Sequence, residues 1–365
     1  MSSGDPAIVV PLSIQALTED VVWLGDAAPL DRRAEVSLGD TFAKLLPADC
    51  VDLFACQAAT ERLCIYRLRD VLLDAWIMIL LSGRQPISET VYLAYQKERD
   101  FAAVRPLELQ PTDAARHYII GATRARYNYY HWMVQSLPAI DWGLRCLRHP
   151  DVALALPPLL PWQEATLALL GHADVPRLTL GVREHYALAI AEFSEFLGPR
   201  LPGIVSQAAA ATYGRLRQAV APAPDGADEI YVARTDAANR IAVNEAALIA
   251  LLDRQGVSIV VPGTLPVTKQ IALFRRARLV IGGHGAGLSN IIGCEPGSHV
   301  YELLPSAYPN HCFNRLAQAC ALHYWGDVFP SEAGGADPHE RKWQIDLDVV
   351  AARLDVIRAR MAAEA

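Results

Sequence analysis

The stretch Leu279-Val-Ile-Gly-Gly-His-Gly-Ala-Gly-Leu-Ser-Asn290 passes from a short apolar run through alternating glycines into a second apolar run. A continuous apolar run of this length predicts a strand buried on both faces, here over 279–282, and the glycines that follow predict a tight turn into a short helix over 288–294. Gly283, Gly285 and Gly287, with Ala286 between them, let a bulky anion approach the backbone, and the helix start offers unpaired amides and its positive dipole end. A diphosphate fits such a turn; the competing reading is a turn whose small residues serve packing alone. The spacing Gly283-x-Gly285-x-Gly287 is not the dinucleotide fingerprint, which argues against a nicotinamide enzyme.

Outward from this stretch, short apolar runs alternate with helical patterns. Strands are expected over 229–233, 257–261, 279–282 and 299–304. Helices are expected from Asn244, which can cap a segment burying Leu248, Leu251 and Leu252, to Gly256; over 267–277, with Ile271 and Phe274 on one face; and over 312–322. This alternation specifies parallel strands with crossover helices, a Rossmann-type half-sheet whose ligands bind at the carboxyl ends of the strands.

The amino-terminal half predicts strands over 63–73, 75–82 and 117–123 and helices over 129–147 and 163–170. Residues 221–228, Ala-Pro-Ala-Pro-Asp-Gly-Ala-Asp, form the best linker. Leu347, Val350, Leu354, Ile357 and Met361 lie at spacings of three and four, an apolar stripe on a terminal helix expected on the cleft side of two domains. The expected division is therefore 1–220, 221–335 and 336–365.

A chain of 365 residues, 52% apolar, exceeds one core and supports two domains. The first basic residue is Arg32, and the longest early apolar stretch, 75–81, is too short to span a bilayer, so a soluble cytoplasmic protein without a transmembrane segment is expected. Seven scattered cysteines without a Cys-x-x-Cys pair read as reduced thiols. A net charge of −7 argues against nucleic acid as a partner.

The candidate chemistry centres on a few side chains. His284, flanked by glycines at a strand's carboxyl end, is expected to face a ligand, against the reading of a structural histidine. Arg234 and Arg240, with Asn244 and Glu245 close behind, can reach the same crevice and neutralise a departing diphosphate; the alternative is a salt bridge to Glu245 or Asp236. Glu302 sits in a strand where an unpaired carboxylate is costly, so a ribose hydroxyl or a buried Arg is its expected partner. In Tyr127-Asn-Tyr-Tyr-His-Trp-Met-Val-Gln-Ser-Leu-Pro138, His131 is the candidate general base, with Asn128 beside it, unless the histidine only fastens a helix start. Asp346-Leu-Asp348 is explained by helix capping, and no His and carboxylate spacing resembles a zinc site, so no metal and no cofactor beyond the donor substrate are expected.

Asn128-Tyr-Tyr-His-Trp132, Arg234, Arg240-Ile-Ala-Val-Asn-Glu245, the Gln270 helix, His284-Gly-Ala-Gly-Leu288 with Asn290, and Tyr301-Glu302-Leu303 together resemble glycosyltransferase family 61 over roughly residues 127–325. The resemblance implies a GT-B-like α/β architecture, with two Rossmann-type domains facing a central cleft, a carboxyl-terminal domain that holds a nucleotide-sugar donor (UDP-sugar favoured) and an amino-terminal domain for a glycan or glycoconjugate acceptor. It also implies metal-independent, inverting transfer, often in bacterial surface polysaccharide pathways. Where family members often carry Asp four residues after the motif histidine, this chain has Gln135. A degenerate nucleotide-sugar or glycan-binding subunit and an NAD-dependent oxidoreductase are the alternatives, and homo-oligomer formation stays open.

Overall fold

The computed structural model describes residues 12–24, 35–56, 63–91, 108–147, 149–199, 206–334 and 337–364. The chain divides into two compact units, Met1–Ala27 with Glu61–Thr212 and Ala28–Thr60 with Tyr213–Ala365.

The second unit is built on a six-stranded parallel sheet in the order Ser258–Val260, Glu229–Val232, Leu279–Gly283, His299–Pro305, His323–Phe329 and Val36–Leu38. Numbered along the chain from Glu229, its first five strands run 2-1-3-4-5, a doubly wound order whose direction of progression reverses between strands one and three. Every residue of Leu279–Gly283 and of His299–Pro305 is buried, as parallel strands covered on both faces require. On one face Leu279, Ile281, Tyr301, Leu303 and Trp325 pack against Leu248 and Leu252 of the helix Glu245–Arg254 and against Val350, Leu354, Ile357 and Met361 of the helix Leu347–Ala363. On the other, Leu288 lies over Gly282, and the short 3₁₀ helix Ala286–Gly293 packs with the helices Val267–Arg276 and Cys312–Ala319.

Several expectations change here. The terminal stripe is buried, but against the sheet of its own unit, where Arg353 pairs with Asp327 at 3.0 Å and Arg358 with Glu229 at 2.6 Å. Residues 347–363 pack on the second unit, to which the segment belongs. The early segment joins the second unit because Val36–Leu38 pairs with Tyr324–Gly326 and the Thr41 hydroxyl bonds Asp327 at 2.8 Å. The junction falls at 212/213, inside the helix Gln207–Gln218, rather than at the Pro-rich stretch eight residues on. The short helix expected after the glycine turn is present and is 3₁₀, Ala286–Gly293: Leu288 to Gly293 are all buried, and the first bond closes tightly from the Leu288 N–H to the Gly285 carbonyl at 2.9 Å.

The first unit carries a nine-stranded sheet. Its parallel part, His185–Ser194, His117–Ile120, Val152–Leu156 and Arg177–Thr179, is continued by the antiparallel strands Leu63–Asp74, Ile79–Ser82 and Gln85–Pro86. The sheet is therefore mixed rather than Rossmann-type throughout. The expected strand over 75–82 is instead a turn at 75–78 followed by a strand, because the Asp74 carboxylate accepts the Trp76 N–H at 2.9 Å and the Ile77 N–H at 3.3 Å. The single helix expected over 129–147 contains a π turn, Trp132–Ser136, between an α-helical turn Tyr129–His131 and the α-helix Leu137–Leu147. Pro138 supplies the reason: it has no N–H for the Val134 carbonyl and its ring would crowd that group in a regular helix, so the backbone widens just before it.

The burial of the last helix gives a direct stability expectation. Leu354→Ala should lower the unfolding free energy of the second unit by about 2–5 kcal/mol, while Val356→Ala, two residues on at a position 51% exposed, should stay within about 0.5 kcal/mol. Urea denaturation of both variants checks the difference.

Candidate functional site

The reversal point of the parallel sheet lies between Glu229–Val232 and Leu279–Gly283, and the chain leaving each strand carries charged or polar groups: Arg234 after the first, His284 after the third. Arg234 Nη1 donates to the backbone carbonyl of His284, and Nη2 donates to the Asn239 carbonyl at 2.8 Å. Arg240 Nε reaches the same His284 oxygen at 3.4 Å, while its Nη1 meets His339 Nδ1 at 2.7 Å and its guanidinium lies 5.1 Å from the centre of the Tyr308 ring. Two cations thus converge on one neutral oxygen. Burial, then the charge of Arg240, pushes the Arg234 guanidinium down to about 10, and burial also lowers Arg240.

The cluster is held in place deliberately. Arg240 has φ +53°, a left-handed conformation that costs an L residue of order 1–3 kcal/mol, so surrounding bonds must impose it. They come from 339–343: Arg240 N–H donates to the His339 carbonyl at 2.9 Å and Trp343 Nε1 donates to the Arg240 carbonyl at 2.8 Å. Arg234 is fixed by the Glu245 carboxylate, which accepts its backbone N–H at 2.7 Å and the Tyr231 hydroxyl at 2.9 Å. Where the alternative reading had a side-chain salt bridge between Arg234 and Glu245, the structure has a carboxylate-to-backbone bond.

The glycines make room for protein before ligand. A β-carbon on Gly285 would lie 2.7 Å from Arg234 Nη1, and one on Gly287 3.2 Å from Val232 Cγ1. A β-carbon on Gly283 would touch Arg234 Cδ at 3.4 Å. Ala286 and Gly287 keep partly exposed surface, and the opening N–H groups of a helix have no partners within it.

His284 does not project from the turn. It is 4% exposed, its Nδ1 faces Glu302 Oε1 at 2.6 Å, and its ring packs edge-on to Tyr308 and Phe313. A carboxylate accepts, so Nδ1 carries the hydrogen; burial lowers the imidazole's affinity for a second proton, and the Glu302 bond opposes that. Glu302 has no exposed surface, and its other oxygen accepts the Tyr324 hydroxyl at 2.6 Å. Its partners are a histidine and a tyrosine, not a ribose or an arginine, because the carboxylate sits on the covered face of a central strand. Asn244 makes no helix cap; its amide bonds the Ile345 backbone in both directions, at 2.7 and 3.0 Å. Asn290, 1% exposed, donates to Gln270 Oε1 at 2.8 Å and the Gly287 carbonyl at 3.0 Å. Both asparagines brace the backbone around the arginines.

In the first unit Asn128 is exposed and caps the Tyr129–His131 turn, its Oδ1 accepting the Tyr130 N–H at 3.0 Å. His131 is half-buried at the start of the π turn, and its Nδ1 lies 2.8 Å from Gln135 Oε1. An amide oxygen only accepts, which places the histidine's hydrogen on Nδ1 and a lone pair on Nε2. Burial lowers the His131 pKa and the Gln135 bond raises it, with the net shift downward. Gln135 lies inside the π turn that begins just after His131, and such turns are frequent at functional sites.

Sequence reasoning missed Tyr308, His339 and Trp343, which sit in loops without period. It also missed that His299, His323 and Glu364 bring one ligand atom each within 4.8 Å. There Trp325 Nε1 donates to His299 Nδ1 at 3.0 Å, which keeps the ring hydrogen on Nε2, directed at Glu364 at 3.1 Å, and so opposes metal ligation through that nitrogen. Asp346 caps the terminal helix as expected, accepting the Asp348 and Val349 N–H groups at 3.0 and 3.2 Å. No described helix is long and apolar enough to cross a membrane.

A stretch of 103 residues, 26% of this chain, is 33% identical to the EGF domain-specific O-linked N-acetylglucosamine transferase of Drosophila melanogaster and spans 20% of that protein. Residues 129–301, which include His131, both arginines and the glycine turn, match the family described as Glycosyltransferase 61. The chain therefore carries a glycosyltransferase family 61 domain over residues 129–301.

Proposed function

We propose that the protein transfers a sugar from a nucleotide diphosphate sugar, UDP-linked by preference, to a hydroxyl of a glycan or glycoconjugate, in a reducing cytoplasm. The observation that carries this reading is the meeting of Arg234 and Arg240 at the His284 carbonyl. Both guanidiniums spend bonds on neutral acceptors, which leaves two positive charges and further N–H donors beside the amides of the glycine turn. A diphosphate supplies the missing negative charge, and the same groups stabilise it as it departs, without a divalent ion. The name of the Drosophila relative, an O-linked N-acetylglucosamine transferase, agrees with a sugar passed to oxygen.

His131 is the proposed base: with Nδ1–H held by Gln135, Nε2 takes the proton of the attacking hydroxyl, the anomeric carbon gains the new C–O bond, and the bond to the diphosphate oxygen breaks with inversion. GT-B architecture is the arrangement this reading implies. A second reading, a subunit that binds the donor without turning it over, is favoured by one feature only: Gln135 is a neutral partner and stabilises an imidazolium less than a carboxylate does.

Arg234→Ala and Arg240→Ala should each weaken UDP binding about 10–100-fold in calorimetry, and an excess of EDTA should leave transfer unchanged. His131→Ala should reduce kcat by about 10²–10⁴-fold with donor affinity near normal; if wild-type protein binds UDP but neither transfers nor hydrolyses any donor, the binding-subunit reading prevails. Because the base works unprotonated and burial holds His131 below the usual histidine value, the rate should be at its plateau at pH 7 and fall only as acid protonates it. Gln135→Glu, by adding a negative partner, should raise that pKa and move the acid limb of the pH–rate profile upward.

A further inference from the structure

We infer that His339 is a further binding residue of the site in the second unit, giving the hydrogen on its Nε2 to a diphosphate oxygen of the nucleotide sugar beside Arg240. The inference rests on the proposed function and adds one contact to it. Arginine only donates, so the 2.7 Å approach of Arg240 Nη1 makes His339 Nδ1 the acceptor and leaves the ring hydrogen on Nε2. The other polar groups of this half-buried residue are engaged within the protein: its N–H donates to Asp337 Oδ1 at 2.8 Å, and its carbonyl accepts the Arg240 N–H at 2.9 Å. Only the Nε2–H has no partner among the described residues.

The orientation of the imidazole is fixed as well as its tautomer. Its ring centre lies 4.3 Å from that of Tyr308, tilted by 47°, and the same tyrosine carries the Arg240 guanidinium at 5.1 Å. Turning the imidazole over would set a carbon against Arg240 Nη1 and forfeit that bond. Nε2 therefore stands across one five-membered ring from the atom that meets Arg240, and the two side chains offer N–H groups side by side. Of the Arg240 nitrogens, Nε is taken by the His284 carbonyl and Nη1 by His339, while Nη2 has no partner among the described residues. The His284 carbonyl already serves two guanidiniums, and Asp337 already accepts the His339 N–H. Adjacent phosphate oxygens, with several lone pairs and a negative charge, answer both Arg240 Nη2 and His339 Nε2 at once.

His339 and Tyr308 lie beyond the matched residues 129–301, so the family match does not supply this contact. A histidine that only braced Arg240 would need its Nδ1 and its backbone; the contact with phosphate needs Nε2. That difference makes the two roles separable.

Calorimetry with UDP on the full chain tests the contact. His339→Asn keeps an amide oxygen near the place of Nδ1, so Arg240 retains an acceptor, and removes Nε2; UDP binding should weaken about tenfold or more. The same substitution is then made in Arg240→Ala. A residue acting only through Arg240 costs nothing further once that arginine is gone, whereas a direct contact should still cost about threefold or more. Circular dichroism verifies the fold of each variant. Nitrogen-15 NMR of the histidine rings in the wild type gives an independent measurement: the His339 signals, assigned by their loss in the variant, should be those of an Nε2–H tautomer, and the Nε2 resonance should move as UDP saturates the protein. Wild-type affinity in His339→Asn, no added cost in the Arg240→Ala background, or an Nε2 resonance unmoved at saturating UDP overturns the inference and leaves the proposed function standing. A wild-type chain that does not bind UDP refutes both.

Discussion

Two guanidinium groups competing for a single carbonyl oxygen is the constraint around which the second unit is arranged. Like charges do not settle side by side without support, and each element nearby supplies some of it: Gly285 leaves the space, Glu245 anchors one arginine's backbone, and the 339–343 segment imposes the strained backbone of the other. The parallel sheet contributes by its order, because reversal between its first and third strands opens a gap just where both arginines emerge. Chemistry and topology therefore fix the same point.

The two histidines of the matched domain illustrate how partners decide roles. His284 has a carboxylate on Nδ1, no solvent, and rings on its flanks; it is a strut that orients the carbonyl on which the arginines meet. His131 has an amide on Nδ1, partial exposure, and a π turn beneath it. In both, a hydrogen is fixed on Nδ1, but only the second histidine is half-exposed.

The parallel sheet was legible because apolar runs such as Leu279-Val-Ile and Val300-Tyr-Glu-Leu-Leu have only one way to be buried on both faces. That Arg234, Arg240 and the glycine turn come together was legible for the same reason: strand ends are readable. What stayed hidden depended on residues meeting across long separations. Nothing local reveals that Glu302 already has His284 and Tyr324, or that Asn244 bonds residue 345 instead of capping its helix. The π turn had a local sign in Pro138, but the same sign is compatible with a kinked α-helix. The mixed sheet of the first unit escaped because the apolar residues 75–78 form a turn on the Asp74 carboxylate, and nothing in the run itself marks the antiparallel pairing that follows.

The strap formed by residues 339–345 has a further consequence. Through Trp343 and Ile345 it ties the loop that carries Arg240 to the root of the last helix, whose own apolar side is pressed onto the sheet. The left-handed backbone of Arg240 is thereby held by a segment distant from it in sequence. A loosening of the last helix from the sheet would therefore be passed through residues 343–345 to the loop that carries Arg240.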